Sequence, residues 1–317
     1  MASGVCSAPG NSTAANSRMQ LPTRDGVGPS CISLPVGPWP RVIDFLVQRF
    51  PTVSRDEIEA RMVRGDVVDE LGDYVLPERP YTAHLKLFYY RSIEIEDRIP
   101  FDEVVLFQDD HVLAVDKPHF LPVTPGGRYL QETLLVRLKR KLGIDSLAPM
   151  HRIDRETAGV VLFTIQPHTR SKYHALFEQR AVRKHYQAIA PWRADLPLPM
   201  THRSRLIEGD SFMRMCEAEG EPNSETGIEL LEVMGELARY RLIPLSGKKH
   251  QLRVHMAALG MPIVNDKIYP IHHSIAQIED GDYSKPLQLL AEAISFVDPI
   301  SGQPREFASR QCLSGHA

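Results

Sequence analysis

The nine residues His151-Arg-Ile-Asp-Arg-Glu-Thr-Ala-Gly159 set one carboxylate between cations, with Arg152 before Asp154 and Arg155 directly after it. They run straight into Val160-Val-Leu-Phe-Thr-Ile165, whose β-branched residues read as a buried strand. A carboxylate on a turn at a strand end, beside fixed positive charge, is expected to stay ionised, because opposite charge favours the charged form and its reference pKa is only about 3.9. Such a group suits a nucleophile or a base. The same residues would equally build an ordinary turn, with Asp154 and Thr157 hydrogen-bonding the backbone and the arginines in solvent.

Two further segments carry chemistry-bearing side chains on predicted elements. In Lys184-His-Tyr-Gln-Ala188 the period of a strand puts Lys184, Tyr186 and Ala188 on one face, with His185 and Gln187 on the other. In His250 to Leu259, the spacing of Leu252, Met256 and Leu259 predicts a helix that Gly260 and Pro262 end. On it His250 and Arg253 would share a face. Nothing in the spacing brings Arg253 to Asp154.

The chain of 317 residues, 43% hydrophobic, is long enough for one large domain or two. Residues 1–39 are dominated by Ser, Gly, Pro, Ala and Asn and are expected to be disordered or extended. Residues 40–99 read as a small helix, turn, helix and short-strand domain. Its first helix, Arg41 to Phe50, places Val42, Phe45, Leu46 and Arg49 on one face, and Ser54 with Glu57 starts the second as an N-cap. Residues 100–317 alternate strand-like runs (from Val104, Val112, Val160, Tyr186 and Arg239) with helices at Glu132 to Leu142 and Thr169 to Phe177. That is an α+β pattern with hairpins rather than regular βαβ repeats.

No apolar run approaches the roughly 20 residues needed to cross a bilayer, and no secretory leader is visible, so a cytoplasmic protein without membrane association is expected. Cys6, Cys31, Cys216 and Cys312 lack C-x-x-C spacing, which predicts reduced thiols. His250 and His255 stand five apart, without an H-E-x-x-H pattern, and no bound metal is expected. The formal net charge of −3 hides an asymmetry: Arg128 to Arg205 holds 15 Lys and Arg against six Asp and Glu. This basic span surrounds Asp154 and suits contact with phosphates. Residues 41–98, with nine basic and twelve acidic side chains, are a poor phosphate surface.

The Asp154 segment resembles the HRLDxxTSG signature of the RluA family of RNA pseudouridine synthases. Three other segments match in order: Val112-Leu-Ala-Val-Asp-Lys-Pro118 with Leu121-Pro-Val-Thr-Pro-Gly126, then Lys184-His-Tyr-Gln-Ala188, then Ser246-Gly-Lys-Lys-His-Gln-Leu-Arg-Val-His255 with Leu259 to Asp266 and Tyr269. From Val112 to Tyr269 they span about half of the chain. The resemblance implies a mixed, mainly antiparallel sheet with a central cleft and flanking helices. Residues 40–99 are similar to the small S-four-type RNA-binding domain, in degenerate form.

The implied reaction breaks the bond from sugar to base nitrogen, turns the uracil and rejoins it through a ring carbon, with no cofactor. The resemblance makes Asp154 the reactive carboxylate, acting on sugar or base. Arg152 enters the stack as the uridine flips out, which costs a few kcal/mol. Tyr186 stacks on the flipped base, worth about 1–3 kcal/mol, and takes part in a late proton transfer. Arg253 pairs with Asp154. Lys184, His250, Lys248, Lys249 and Arg155 complete the expected RNA contacts. Departures from the pattern are Lys248 and Lys249 for Arg-Thr, Ala158 for Ser, and Leu290 for a common His.

The leading expectation is a monomeric enzyme acting on ribosomal or transfer RNA without a protein partner. A noncatalytic RNA-binding or ribosome-assembly protein with the same fold stays open. An Asp-dependent glycoside hydrolase is disfavoured, because no second positioned carboxylate accompanies Asp154.

Overall fold

The computed structural model of the chain describes residues 21–91, 96–209, 214–270 and 282–314. The chain divides into two compact units, residues 1–24 with 28–92, and residues 25–27 with 93–317.

The first unit contains β1 (Ser30–Ser33), α1 (Val42–Arg49), α2 (Arg55–Val63), β2 (Val67–Asp69) and β3 (Lys86–Tyr89). Its strands form an antiparallel sheet in the order β1-β3-β2. Part of the segment expected to be disordered or extended therefore enters a sheet as β1, because the backbone of Ser30 to Ser33 finds a partner in β3. Residues 1–20 lie outside the described residues. Helix α1 buries Val42, Ile43, Phe45 and Leu46 against Ile58, Met62, Val67 and Leu87. Ile43, not Arg49, completes the inner face, and the charged Arg49 stays in solvent. Ser54 caps α2 as expected, its Oγ accepting from the Glu57 N–H at 3.2 Å. Glu57 does not return the bond but accepts from Arg61 Nε at 2.6 Å, one helical turn on.

The second unit begins with β4 (Val104–Gln108), β5 (Val112–Lys117), α3 (Leu134–Leu142), β6 (Ala148–Pro149), β7 (Ala158–Thr164), α4 (Arg170–Glu178) and β8 (Arg183–Pro191). It continues through β9 (Met200–Glu208), β10 (Met215–Ala218), β11 (Ser224–Met234), β12 (Leu237–Pro244), α5 (Gln251–Ala258), β13 (Leu289–Val297) and β14 (Pro304–Ala308). These strands make one 11-stranded sheet ordered β10-β9-β11-β12-β8-β13-β7-β5-β4, with β14 on β13 and β6 on β7. It is antiparallel except between β13 and β7.

Strands β5 and β7 are buried along their whole length, which explains why their sequences are apolar without alternation up to Asp116 and Lys117 at the end of β5. Strand β12 is half-buried and alternates with period two. Hydrophobic packing gathers on both sides of the middle of the sheet. Leu113, Val115, Val161 and Phe163 pack with Leu134 and Leu138 of α3. Ala188, Ala190, Tyr240 and Leu242 pack with Leu252 and Met256 of α5.

The parallel pairing of β13 with β7 is only two residues long: Leu290 lies opposite Ala158, and Ala291 opposite Gly159. Ala291 also faces Tyr186 on β8, and Gly159 faces Lys117 on β5. One transverse row, Tyr186, Ala291, Gly159, Lys117, thus crosses four neighbouring strands. Two departures from the family pattern meet beside it, because Ala158 and Leu290 are register partners buried in the same apolar cluster with Ile189 and Leu313. A small apolar residue and a large one replace two polar ones together, which leaves no unpaired polar group in that layer. Among the described residues, no helix is long and apolar enough to cross a membrane. Cys31, Cys216 and Cys312 are free thiols.

Gly159 has φ +113, and a Cβ built there would lie 2.2 Å from the Ala291 carbonyl oxygen, a backbone atom. Gly143, which ends α3 at φ +67, has open space around the same position. Gly159→Ala is therefore expected to lose about 3 kcal/mol or more, by combining backbone strain with a broken strand junction. Gly143→Ala should lose only about 1 kcal/mol. Denaturant melts of the two variants against wild type check the contrast, and equal losses would contradict it.

Candidate active site

Residues 150–157 join β6 to β7, and the backbone there turns sharply, with the Thr157 N–H donating to the Asp154 carbonyl at 3.2 Å. The turn is held from below by Lys117 at the end of β5. Its ammonium is fully buried and donates to the carbonyls of Pro118 at 2.8 Å and Arg155 at 3.0 Å. Burial lowers the Lys117 pKa to about 7, with the charges of Glu156 and Asp154 opposing the shift. Arg155 braces the turn from the side: its Nε donates to the Phe120 carbonyl at 3.0 Å, its guanidinium pairs with Glu156 and lies 4.9 Å from the Tyr129 ring centre. His151, at the start of the segment, accepts from the Leu162 N–H through Nε2 at 3.2 Å and stacks on Phe177. Burial pushes its pKa down to about 3, so it is a neutral bracing group.

Among the described residues, the charged groups that reach the Asp154 carboxylate come from elsewhere in the chain. Arg253 on α5, 99 positions away, donates through Nη1 to Asp154 Oδ2 at 3.2 Å. The same guanidinium makes two 2.7 Å bonds to Asp266, Nε to Oδ2 and Nη2 to Oδ1. Arg253 is 2% exposed and Asp266 0%, whereas Asp154 retains 27%. Burial opposes the charge on Arg253, yet its hydrogen bonds and attraction to Asp266, joined by Asp154, raise its pKa above the ordinary arginine value. Asp266 is itself fixed by the N–H groups of Ile268 and Tyr269, at 2.8 and 3.0 Å from Oδ1. A buried, doubly anchored guanidinium thus presents its remaining edge to one half-exposed carboxylate.

All nine residues singled out in the sequence, Asp154, Tyr186, Arg253, Arg152, Arg155, Lys184, His250, Lys248 and Lys249, line one cleft of about 940 Å³. Lys184 and Tyr186 face it while His185 and Gln187 do not, as the strand period requires. Burial, and then the Asp154 charge, push the Tyr186 phenol well above its usual pKa and keep it protonated. Lys184 donates to the Ser246 carbonyl at 3.2 Å, and burial lowers its pKa, so it ties β8 to the loop at residues 246–250. Gln251 holds that loop from within. Its Oε1 accepts from Ser246 Oγ at 2.7 Å and the Lys248 N–H at 3.2 Å, and its Nε2 donates to Glu225 O and Thr226 Oγ1.

The expected placement of His250 and Arg253 on one helix face needs correcting. Helix α5 begins at Gln251, and His250 precedes it in a left-handed backbone conformation, φ 54. Both still reach Asp154, the His250 Nε2 lying 3.8 Å from Oδ1. Arg152, Lys248 and Lys249 are exposed at the cleft. Arg152 has no side-chain hydrogen bond or ion pair among the described residues.

Sequence reading left Asp266, Tyr269, Gln251 and Lys117 without roles, although all four lie in segments quoted for the resemblance. For Asp266 the signal was its position just after the helix-ending Gly260 and Pro262; for Lys117 it was a charge that, with Asp116, closes an otherwise apolar strand. Outside the cleft, ligand atoms of His202, Glu217 and His255 lie within 4.8 Å of one another. Their nitrogens are already engaged: His202 Nε2 meets Glu217 at 2.7 Å, and His255 meets Thr226 through Nδ1 and Ser204 and Ser224 through Nε2. That cluster, which runs from buried His255 to exposed Glu217, reads as a hydrogen-bonded network rather than an open metal site.

Residues 111–258 match the family model of RNA pseudouridylate synthases. An uncharacterized RNA pseudouridine synthase of Synechocystis is 30% identical over 253 residues, covering 77% of this chain and 86% of the relative. The dual-specificity RNA pseudouridine synthase RluA of Haemophilus influenzae is 30% identical over 224 residues, 65% of this chain and 92% of the relative. The solved structure of human RNA pseudouridylate synthase domain containing 1 superposes with a TM-score of 0.54 at 21% identity, over 68% of this chain and 86% of that one, and shows the shared fold. The chain belongs to the RluA family of RNA pseudouridine synthases, isomerases that convert uridine to pseudouridine.

Proposed function

We propose that Asp154 is the reactive carboxylate in the isomerisation of a uridine in ribosomal or transfer RNA. The observation that carries this reading is the Arg253 guanidinium, buried between Asp154 and Asp266 at the base of the cleft. A carboxylate that must attack, or assist departure of, a sugar needs one oxygen held and one accessible. Asp154 has Oδ2 on Arg253 and keeps 27% of its side chain exposed.

Tyr186, protonated and lining the same cleft, supplies an aromatic face for the flipped base. Arg152 is the exposed cation that enters the stack, and its lack of a partner among the described residues leaves it able to do so. Lys248 and Lys249 contact the RNA backbone. Lys184, His250 and Arg155 belong to the RNA-facing wall, with Lys184 and Arg155 also bracing its loops. Relatives named as dual-specificity RNA pseudouridine synthases support RNA as the substrate class.

Residues 40–99 are proposed as an S-four-like module, a reading supported by its two helices followed by short strands. With twelve acidic against nine basic side chains over residues 41–98, it contributes shape more than phosphate affinity. The protein is proposed to act in the cytoplasm as a monomer, without cofactor or metal.

Asp154→Asn should lower tritium release from uridine-labelled RNA by about 10³-fold or more while RNA affinity changes little. Undiminished turnover would remove Asp154 from the chemistry. Lys248→Ala and Lys249→Ala should each weaken RNA binding and reduce the slope of log affinity against log salt by about 1. Binding measured by anisotropy across a salt series checks this, and an unchanged slope would take the lysines away from the phosphates.

A further inference from the structure

Beside the charged contact that holds Oδ2 of Asp154 runs a neutral chain of two hydrogen bonds whose far end faces the other oxygen. The Met215 N–H donates to Tyr269 Oη at 2.8 Å. That oxygen lies 3.0 Å from His250 Nδ1. The opposite ring nitrogen of His250, Nε2, faces Asp154 Oδ1 at 3.8 Å. The two rings meet edge-on, 5.7 Å apart at 84°, and Tyr269 is 4% exposed.

Counting protons fixes the tautomer. A phenol has one proton and accepts through its oxygen. Oη already accepts from Met215, and His250 is its other hydrogen-bond partner among the described residues. Were the imidazole proton on Nδ1, two N–H groups would point at Oη, and the buried phenolic proton would have no acceptor, at a cost of about 1–3 kcal/mol. With Tyr269 donating to Nδ1, every group is satisfied and the imidazole proton sits on Nε2. The ring is held neutral as well: burial lowers its pKa to about 4, against the pull of Asp154.

Resting on the reading of Asp154 as the reactive carboxylate, we propose that His250 is a positioning residue for it. Its Nε2–H, set by the Met215 and Tyr269 relay, is the neutral donor that steers Oδ1. A shift of about 1 Å on substrate binding brings the pair to hydrogen-bond length, as catalytic contacts that are long in the free enzyme often tighten. The two oxygens are thereby given different duties. Oδ2 is pinned by a charge, whereas Oδ1 is guided by a donor too weak to quench it. A protonated His250 would instead pair with the carboxylate and blunt it. The left-handed backbone at His250, one residue before α5, directs the ring into this gap.

Long-range nitrogen–proton NMR of the imidazole rings in the full-length protein reads the tautomer directly, with His250→Gln assigning the signal. The Nε2–H form is expected at neutral pH in wild type, and a mixture of forms in Tyr269→Phe. An Nδ1–H or doubly protonated ring in wild type would overturn the proposal. In single-turnover assays at saturating RNA, His250→Gln, which keeps a donor near the Nε2 position, should retain activity within about 10-fold, and His250→Asn should fall about 10²-fold. Equal loss in both, with melting temperatures and RNA affinity at wild-type values, would also overturn it. An active Asp154→Asn beside an Nε2–H ring would place the failure in the assignment of Asp154; an inactive Asp154→Asn beside an Nδ1–H ring would place it in the role of His250.

Discussion

One guanidinium shared by two carboxylates is the constraint around which the catalytic unit is arranged. Arg253 is almost wholly buried, and burying a cation costs several kcal/mol unless its charge and its N–H groups are met. Asp266 meets them with two parallel bonds in the planar geometry that only arginine offers. Because Asp266 is also tied to backbone N–H groups, the guanidinium cannot follow Asp154 when that carboxylate moves. The stationary partner is Arg253 and the adjustable one is Asp154, which is the order a reactive group needs.

The fold supplies the same asymmetry on a larger scale. Asp154 sits on a turn whose backbone is pinned by Lys117 from β5 and braced by Arg155. Arg253 sits on α5, which packs on the opposite side of the junction with Ala188, Ala190 and Tyr240. The two sides meet at the transverse row of Tyr186, Ala291, Gly159 and Lys117, where Gly159 lets β7 and β13 approach within a distance that any Cβ would block. A short parallel contact in an otherwise antiparallel sheet is what brings a turn from one half beneath a helix from the other.

Much of this was legible in the chain, for reasons that differ by element. The apolar run of β7, the residue pattern of β8 and the Leu252, Met256 and Leu259 spacing of α5 are local signals, and each element lies within two or three residues of its expected place. The long pair β9 and β11 was missed, because polar residues such as Ser204, Ser224 and Thr226 are satisfied by His255 and one another rather than by solvent, which conceals the alternation. The nine candidate residues were singled out through motif types, and the cleft gathers all of them. Their pairing was legible only in part, since the resemblance joined Arg253 to Asp154 but gave neither residue its other partners. Asp154 was expected to draw its positive charge from Arg152 and Arg155 as well as Arg253; Arg155 instead serves the backbone, and Asp266, which decides where Arg253 points, stood unread 13 positions beyond it. Side-chain pairing across a sheet depends on register between strands distant in sequence, and no local period encodes that.

The central claim is that Arg253 acts by bridging Asp154 and Asp266, not merely by bringing a positive charge. Arg253→Lys keeps the charge and removes the planar fork, so it separates the two. In single-turnover assays at saturating RNA, the account predicts a rate about 10²-fold or more below wild type, with RNA affinity within a few-fold. A rate within threefold of wild type would show that charge alone suffices and would contradict the account.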